Sequence, residues 1–253
     1  MLDPTKRFSS RVDDYVKYRP HYPGAVLDIL REECGLSAEW TIADVGSGTG
    51  FLTELFLGNG NCVFAVEPND EMRLAAEERL GDNPLFVSIA ATAENTTLPT
   101  ASVEVVTAGQ AFHWFDRAKA RAEFLRILKP GGWVALIDNR HADEGSGLHG
   151  GVEELMAQYS LEHEEMLKRR AEVREVGDFF GQGGYTTRTC PNEQVLDLDG
   201  FKGRMTSRST TPEPGQPGHE EVLRGLERLF AEYNEENRVV LVYETQVRFG
   251  RLD

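Results

Sequence analysis

Short apolar runs alternate along this chain with longer stretches of helical period. Thr41 to Gly48, Cys62 to Glu67, Leu85 to Ala90, Val103 to Ala108 and Trp133 to Asp138 are apolar without strict alternation. That pattern predicts strands covered on both faces, as in a parallel sheet. Between them lie amphipathic stretches. Phe51, Leu52, Leu55 and Phe56 form one stripe, and Met72, Ala75, Ala76 and Leu80 form a second, capped by Asn69 or Asp70 and stopped at Gly81. Ala118, Ala122, Leu125 and Leu128 form a third, opened by Asp116 and closed by a turn at Lys129-Pro130-Gly131-Gly132. Regular alternation of strand and helix predicts a doubly wound α/β sheet. Right-handed crossovers then set the strand C-termini along one edge, where ligands bind at the topological switch point.

The second half has another texture. Val152 to Val176 is charged and helical in pattern, with Glu164/Lys168 and Glu165/Arg169 spaced i,i+4. Gly181 to Gly184 reads as a turn. Thr186 to Leu198 and Val239 to Leu252 are rich in β-branched and aromatic residues and are expected to pair antiparallel. Thr211 to Gly218, with three prolines, is a loop that leads into a helix from His219 to Tyr233. No internal repeat and no linker interrupts the chain, so one domain over 1–253 is expected, with a helical insertion after the fifth strand.

Composition narrows the function. Asp and Glu number 42 against 27 Lys and Arg, a net charge of -15. Such a surface repels nucleic-acid backbones and anionic lipid, so neither is an expected partner. Cys34, Cys62 and Cys190 form no CxxC pair, and neither a metal site nor a disulfide framework is expected. No apolar run nears the roughly 20 residues of a membrane span. Met1 to Arg7 lacks the apolar stretch of a secretory signal, and the expected location is cytoplasmic.

Candidate chemistry begins where the first strand ends, at Asp44-Val45-Gly46-Ser47-Gly48-Thr49-Gly50. Glycines there permit positive φ and close approach of a ligand to bare backbone. A glycine turn alone is equally a plain strand-to-helix connection, and its GxGxG spacing departs from the GxGxxG of dinucleotide enzymes. The second strand ends at Glu67-Pro68. An acid at that tip suits a ribose diol and repels a 2′-phosphate, which disfavours NADP. An oxidoreductase would also need a Tyr-x-x-x-Lys or comparable pair, and none is seen.

Taken together, these segments resemble the class I S-adenosylmethionine-dependent methyltransferases of the type 11 family. Asp44 to Gly50 is similar to their motif I and Glu67 to their motif II acid. Ala91-Thr92-Ala93-Glu94 is similar to the segment that meets the adenine edge. Leu98-Pro99 with Ser102 to Val106, and Ile127 to Gly132, match further passages in register. The resemblance covers roughly residues 40–140 and implies a Rossmann-like, mostly parallel seven-stranded sheet with an antiparallel C-terminal hairpin. It divides the domain into N-terminal cap helices over 1–38, a cofactor-binding core over 39–140, and substrate-side helices and C-terminal strands over 141–253. Tyr15-x-x-Tyr18-Arg19-Pro20-x-Tyr22-Pro23 and Gln110-Ala111-Phe112-His113-Trp114-Phe115-Asp116 resemble the branch that includes trans-aconitate methyltransferase. Ser47 stands where that motif commonly has Cys.

What the resemblance implies for the site is specific. Asp44, Gly46, Ser47, Gly48, Glu67, Pro68, Met72, Ala93, Glu94, Gln110, Ala111 and Arg19 are expected to hold S-adenosylmethionine. Tyr18, His113 and Trp114 are expected beside the transferred methyl, and Arg204, Arg208 and Ser209 around an anionic acceptor. Each has a plainer reading: the tyrosines as packing aromatics, Arg19 as an ion pair, His113 as a structural histidine, Gly203 to Ser209 as a solvated helix end. A small-molecule acceptor is expected, with carboxylate O-methylation the first reading. An alcohol, amine or carbon acceptor with His113 as base remains open, as does a cofactor-binding module without transfer. The expected assembly is a monomer or homodimer.

Overall fold

The computed structural model describes residues 12–142, 147–160, 176–208 and 210–253. Ser209, residues 1–11 and the pairs Glu164/Lys168 and Glu165/Arg169 lie outside the described residues. The strands are β1 (Thr41–Val45), β2 (Cys62–Val66), β3 (Phe86–Ile89), β4 (Val103–Gly109), β5 (Leu128–His141), β6 (Thr186–Leu196) and β7 (Val239–Gly250). They form a seven-stranded sheet in the order β3-β2-β1-β4-β5-β7-β6. The ladders from β3 to β5 are parallel, and β7 runs antiparallel to both β5 and β6. This is the doubly wound, mostly parallel sheet with an antiparallel C-terminal hairpin that the patterning predicts.

The helices among the described residues are α1 (Val12–Tyr18), α2 (Ala25–Cys34), α3 (Phe51–Gly58), α4 (Asp70–Leu80), α5 (Arg117–Ile127), α6 (Gly147–Tyr159), α7 (Gly177–Phe180), α8 (Leu198–Thr206) and α9 (His219–Tyr233). Their starts follow the expected chemistry. Asn69 caps α4 by accepting from Met72 N at 2.9 Å, and Asp116 caps α5 by accepting from Lys119 N at 3.2 Å. Along β1 the period of two sends Ala43 and Val45 into one apolar layer, with Phe112, Phe124 and Phe179, and Ile42 into the other, with Leu30, Leu52 and Phe56. A third apolar cluster joins α6, α8 and α9 to the inward face of β7.

Two local expectations change. Lys129 to Gly132, read as a turn, lies inside β5: pairing with β4 resumes beyond it, with a register shift between Val103 and Val105. The bulge is absorbed because the apolar ladder on both sides is stronger than the local turn preference. Gly203 to Ser209 has a solvated helix end as its plainer reading; Gly203 to Thr206 does end a helix, but a buried one. Asp197 caps α8 on Gly200 N at 2.8 Å, and Phe201, Gly203, Arg204 and Met205 are buried.

Candidate functional site

The sheet reverses its order between β1 and β4, and the loops leaving those strands face each other. Gly46 N and Ser47 N both donate to Val66 O, at 2.8 and 3.2 Å, which pins the glycine loop to the end of β2. Gly46 and Gly48 have φ of 68° and 57°, the left-handed region that glycine adopts without strain. Their surroundings differ. A Cβ on Gly46 would lie 2.6 Å from the Ala111 Cβ, whereas one on Gly48 would meet only Met72 Sδ, at 3.8 Å. Gly46 is therefore required by packing, and Gly48 opens the backbone to a cleft.

Two acids underlie this loop. Asp44 is fully buried and accepts from Thr53 Oγ1 at 2.6 Å and Thr107 Oγ1 at 3.1 Å. Burial pushes its pKa up to about 6, opposed by those hydroxyls. Glu67 takes one backbone N–H on each oxygen, Gly48 N and Asn69 N, both at 2.8 Å. Burial raises its pKa, and the two N–H groups oppose the rise. A carboxylate has about four acceptor positions, so Glu67 can brace the loop and still accept from a ligand.

A cleft opens above the loop, lined by Tyr15, Arg19, Tyr22, Asp44, Gly46–Thr49, Phe51, Gly109, Gln110, Asn139 and Arg204 among others. Its empty space, open mouth included, is about 570 Å³, within the size range of small-molecule sites. Ser47 Oγ and Thr49 Oγ1 are buried there with no hydrogen-bond partner among the described residues, and buried polar groups normally have one. Gln110 has φ of 54°, and its amide donates to Asn139 O at 2.7 Å, joining the ends of β4 and β5.

The far end of the cleft is cationic. Arg19 follows α1, stacks on Tyr15 at 4.6 Å and donates to Ser207 O at 2.9 Å. Burial, and after it the nearby guanidinium of Arg204, lowers its pKa to about 9, which leaves it charged at neutral pH. Arg204 is 5% exposed, with one guanidinium nitrogen buried and unpartnered among the described residues. Arg208, one turn further on, pairs with Glu153 at 3.0 Å and lies 3.5 Å from His141 Nε2. A guanidinium can only donate, so a bond to that nitrogen requires the neutral His141 tautomer with its proton on Nδ1.

The expected site residues thus separate. Asp44, Gly46, Ser47, Gly48, Gln110, Arg19 and Arg204 line the cleft. Glu67, Met72 and Ala111 brace the loop from behind. Pro68 precedes the cap of α4; Ala93 is buried beside it in the apolar layer, and Glu94 accepts from Asp116 N at 2.8 Å. Tyr18, His113, Trp114 and Arg208 stand outside the lining: Tyr18 packs on Gly203, and His113 tilts against Trp114 at 4.7 Å. Ser209 lies outside the described residues. Sequence reading missed Asn139, Glu153, His141, His149 and Tyr243. The i,i+4 spacing of His149 and Glu153 and the inward parity of Tyr243 on β7 were the available signals.

Comparison with known proteins agrees with this architecture. Residues 43–136 match the family described as a methyltransferase domain. An uncharacterised methyltransferase of Mycobacterium tuberculosis is 37% identical over 137 residues, 54% of this chain and 54% of the relative. The chain spans about half the length of the curated relatives it matches. A solved structure assigned as a type II methyltransferase of Anaeromyxobacter dehalogenans aligns with a TM-score of 0.65 and 25% identity, over 92% of this chain and 98% of that one. A Haemonchus contortus phosphoethanolamine N-methyltransferase in complex with S-adenosyl-L-methionine shares the fold at a TM-score of 0.59 and 16% identity, over 99% of this chain and 59% of that one. Residues 43–136 are therefore similar to a methyltransferase domain, and the chain shares the fold of solved methyltransferase structures over most of its length.

Proposed function

We propose that the protein is an S-adenosylmethionine-dependent methyltransferase acting on a small acceptor, and that the acceptor presents a carboxylate. The observation that carries this reading is a single cleft, with an open glycine loop at one end and buried, incompletely paired guanidinium groups at the other. Gly48 and the Ser47 and Thr49 hydroxyls supply bare backbone and orphan polar atoms for a polar ligand; Glu67, on the same loop, suits its ribose diol. Met72, Ala93 and Glu94 then flank the adenine side, and Arg19 is close enough to meet the ligand's carboxylate.

When bound, S-adenosylmethionine supplies a methyl group on a sulfonium, which an acceptor oxygen takes by in-line displacement to leave a neutral thioether and a methyl ester. The chain's own work is to bind, align and dry. Tyr15 and Tyr22 are among the cleft's lining residues, and aromatic rings near the sulfonium suit its positive charge. Arg204 attracts an anionic acceptor into a body that otherwise repels anions. A carboxylate is ionised at neutral pH and needs no base. The resemblance of the flanking segments to the branch that includes trans-aconitate methyltransferase supports the same reading.

Calorimetry tests the first half: S-adenosylhomocysteine should bind at micromolar levels and NAD far more weakly. Incubation with labelled cofactor and a panel of small carboxylic acids tests the second, and the labelled product should release methanol in mild alkali. NAD binding more tightly would remove the cofactor assignment. An alkali-stable product would move the reaction to an alcohol, amine or carbon.

A further inference from the structure

Arg204 sits at the end of a one-way chain of donors. Its Nε donates to the Tyr243 hydroxyl at 3.2 Å. That hydroxyl donates to Gln194 Oε1 at 3.5 Å, and the Gln194 amide donates to Tyr18 O at 2.8 Å. Tyr243 is 2% exposed, and its ring lies 5.9 Å from the Arg204 guanidinium. The direction of every bond is fixed. A guanidinium cannot accept, so the tyrosine oxygen must, and its proton is then free for Gln194 Oε1. The amide of Gln194 is oriented in turn, because only its nitrogen can serve the Tyr18 carbonyl.

This arrangement removes freedom from a side chain that ordinarily has much of it. A free arginine carries about 2 kcal/mol of rotamer entropy. With Nε engaged and the Tyr243 ring 5.9 Å away, Arg204 lines the cleft and keeps one buried guanidinium nitrogen, Nη1, without a partner among the described residues. Arg208 differs, since Glu153 already neutralises it. We propose that Tyr243 is a positioning residue that aims Arg204 at the acceptor's anionic group, with Gln194 extending the same control to the N-terminal segment. Arg208 supports this wall electrostatically and does not itself bind the acceptor. The proposal rests on the reading of the cleft as cofactor and acceptor site.

The test uses the full chain loaded with S-adenosylhomocysteine and malonate as the anionic probe, both affinities read by calorimetry. Wild type should bind malonate saturably, and Arg204→Ala should abolish this. Tyr243→Phe keeps the ring and loses only the hydroxyl. It should weaken malonate about tenfold and leave the cofactor product's affinity within twofold. Arg204→Lys should also weaken malonate, and adding Tyr243→Phe to it should then change nothing further, because the bond they share is already gone. Gln194→Leu provides a second route, with an expected loss of about threefold. Tyr243→Phe binding malonate like wild type would overturn the positioning role. So would equal loss of malonate and cofactor product, which marks a purely structural tyrosine. If wild type binds the cofactor product and no malonate, the anchor is wrong while the cofactor reading stands. Failure to bind the cofactor product at all would instead fall on the proposed function.

Discussion

Asp44 shows how one residue can serve a site at the expense of stability. Its pKa is raised from 3.8 to about 6 by burial, so the folded protein binds this proton more tightly than the unfolded chain does. The favourable contribution is therefore complete below about pH 4 and is lost as pH rises through 6, an effect of about 3 kcal/mol. Asp44→Asn should be increasingly more stable than wild type between pH 4 and 7 and level off above, while cofactor binding falls. Urea titrations across that range measure the difference directly, and a pH-independent difference would contradict the raised pKa. Gly48→Ala separates fold from ligand at the same loop. Its positive φ makes a side chain strained, by about 1–2 kcal/mol, but its Cβ would make only an ordinary contact with Met72 Sδ, at 3.8 Å. The variant should fold and lose more than tenfold in affinity for S-adenosylhomocysteine; normal affinity would move the site away from this loop.

At the scale of elements, the N-terminal segment and α8 are fitted to one another. The Tyr18 ring occupies the place where residue 203 would carry a Cβ, and Arg19 donates to Ser207 O. Gly203→Ala should thus dislodge α1 through a clash worth about 1–3 kcal/mol, although alanine favours the helix itself by about 1 kcal/mol. The sign should reverse in a Tyr18→Ala background, where only the helix preference remains. Chemical denaturation of the four proteins reads this, and equal effects in both backgrounds would mean that the contact carries no energy. Arg204 and Arg208 looked like an exposed helix end because their charge is all that local sequence displays. Their partners lie far away in the sequence: Arg204 donates to Tyr243, and Arg208 pairs with Glu153.

Over the whole molecule, ligand binding and folding are linked. S-adenosylhomocysteine at 100 times its Kd should stabilise the fold by about 2.7 kcal/mol. For a chain of this size that is a rise in Tm of roughly 5–10 °C. NAD at the same concentration should produce no comparable rise, and Gly48→Ala should lose the response; a wild-type Tm indifferent to S-adenosylhomocysteine would count against the cofactor. The net charge of -15 repels an approaching anion, so the attraction of Arg204 must act at short range, inside the cleft.

Apolar runs, helix caps and the glycine turn are local features. By themselves they determined β1 to β5, the starts of α4 and α5, the C-terminal hairpin and the loop at the end of β1, because each depends on residues close in sequence. The cationic end of the cleft was decided only by tertiary structure. Arg19, Gln194, Arg204 and Tyr243 come from four separate elements and carry no common spacing. Tyr18, His113 and Trp114 show the converse: a motif brought them under suspicion, and packing placed them outside the cleft lining. Spacing along the chain reports which face a side chain occupies, whereas a pocket is made by which faces meet.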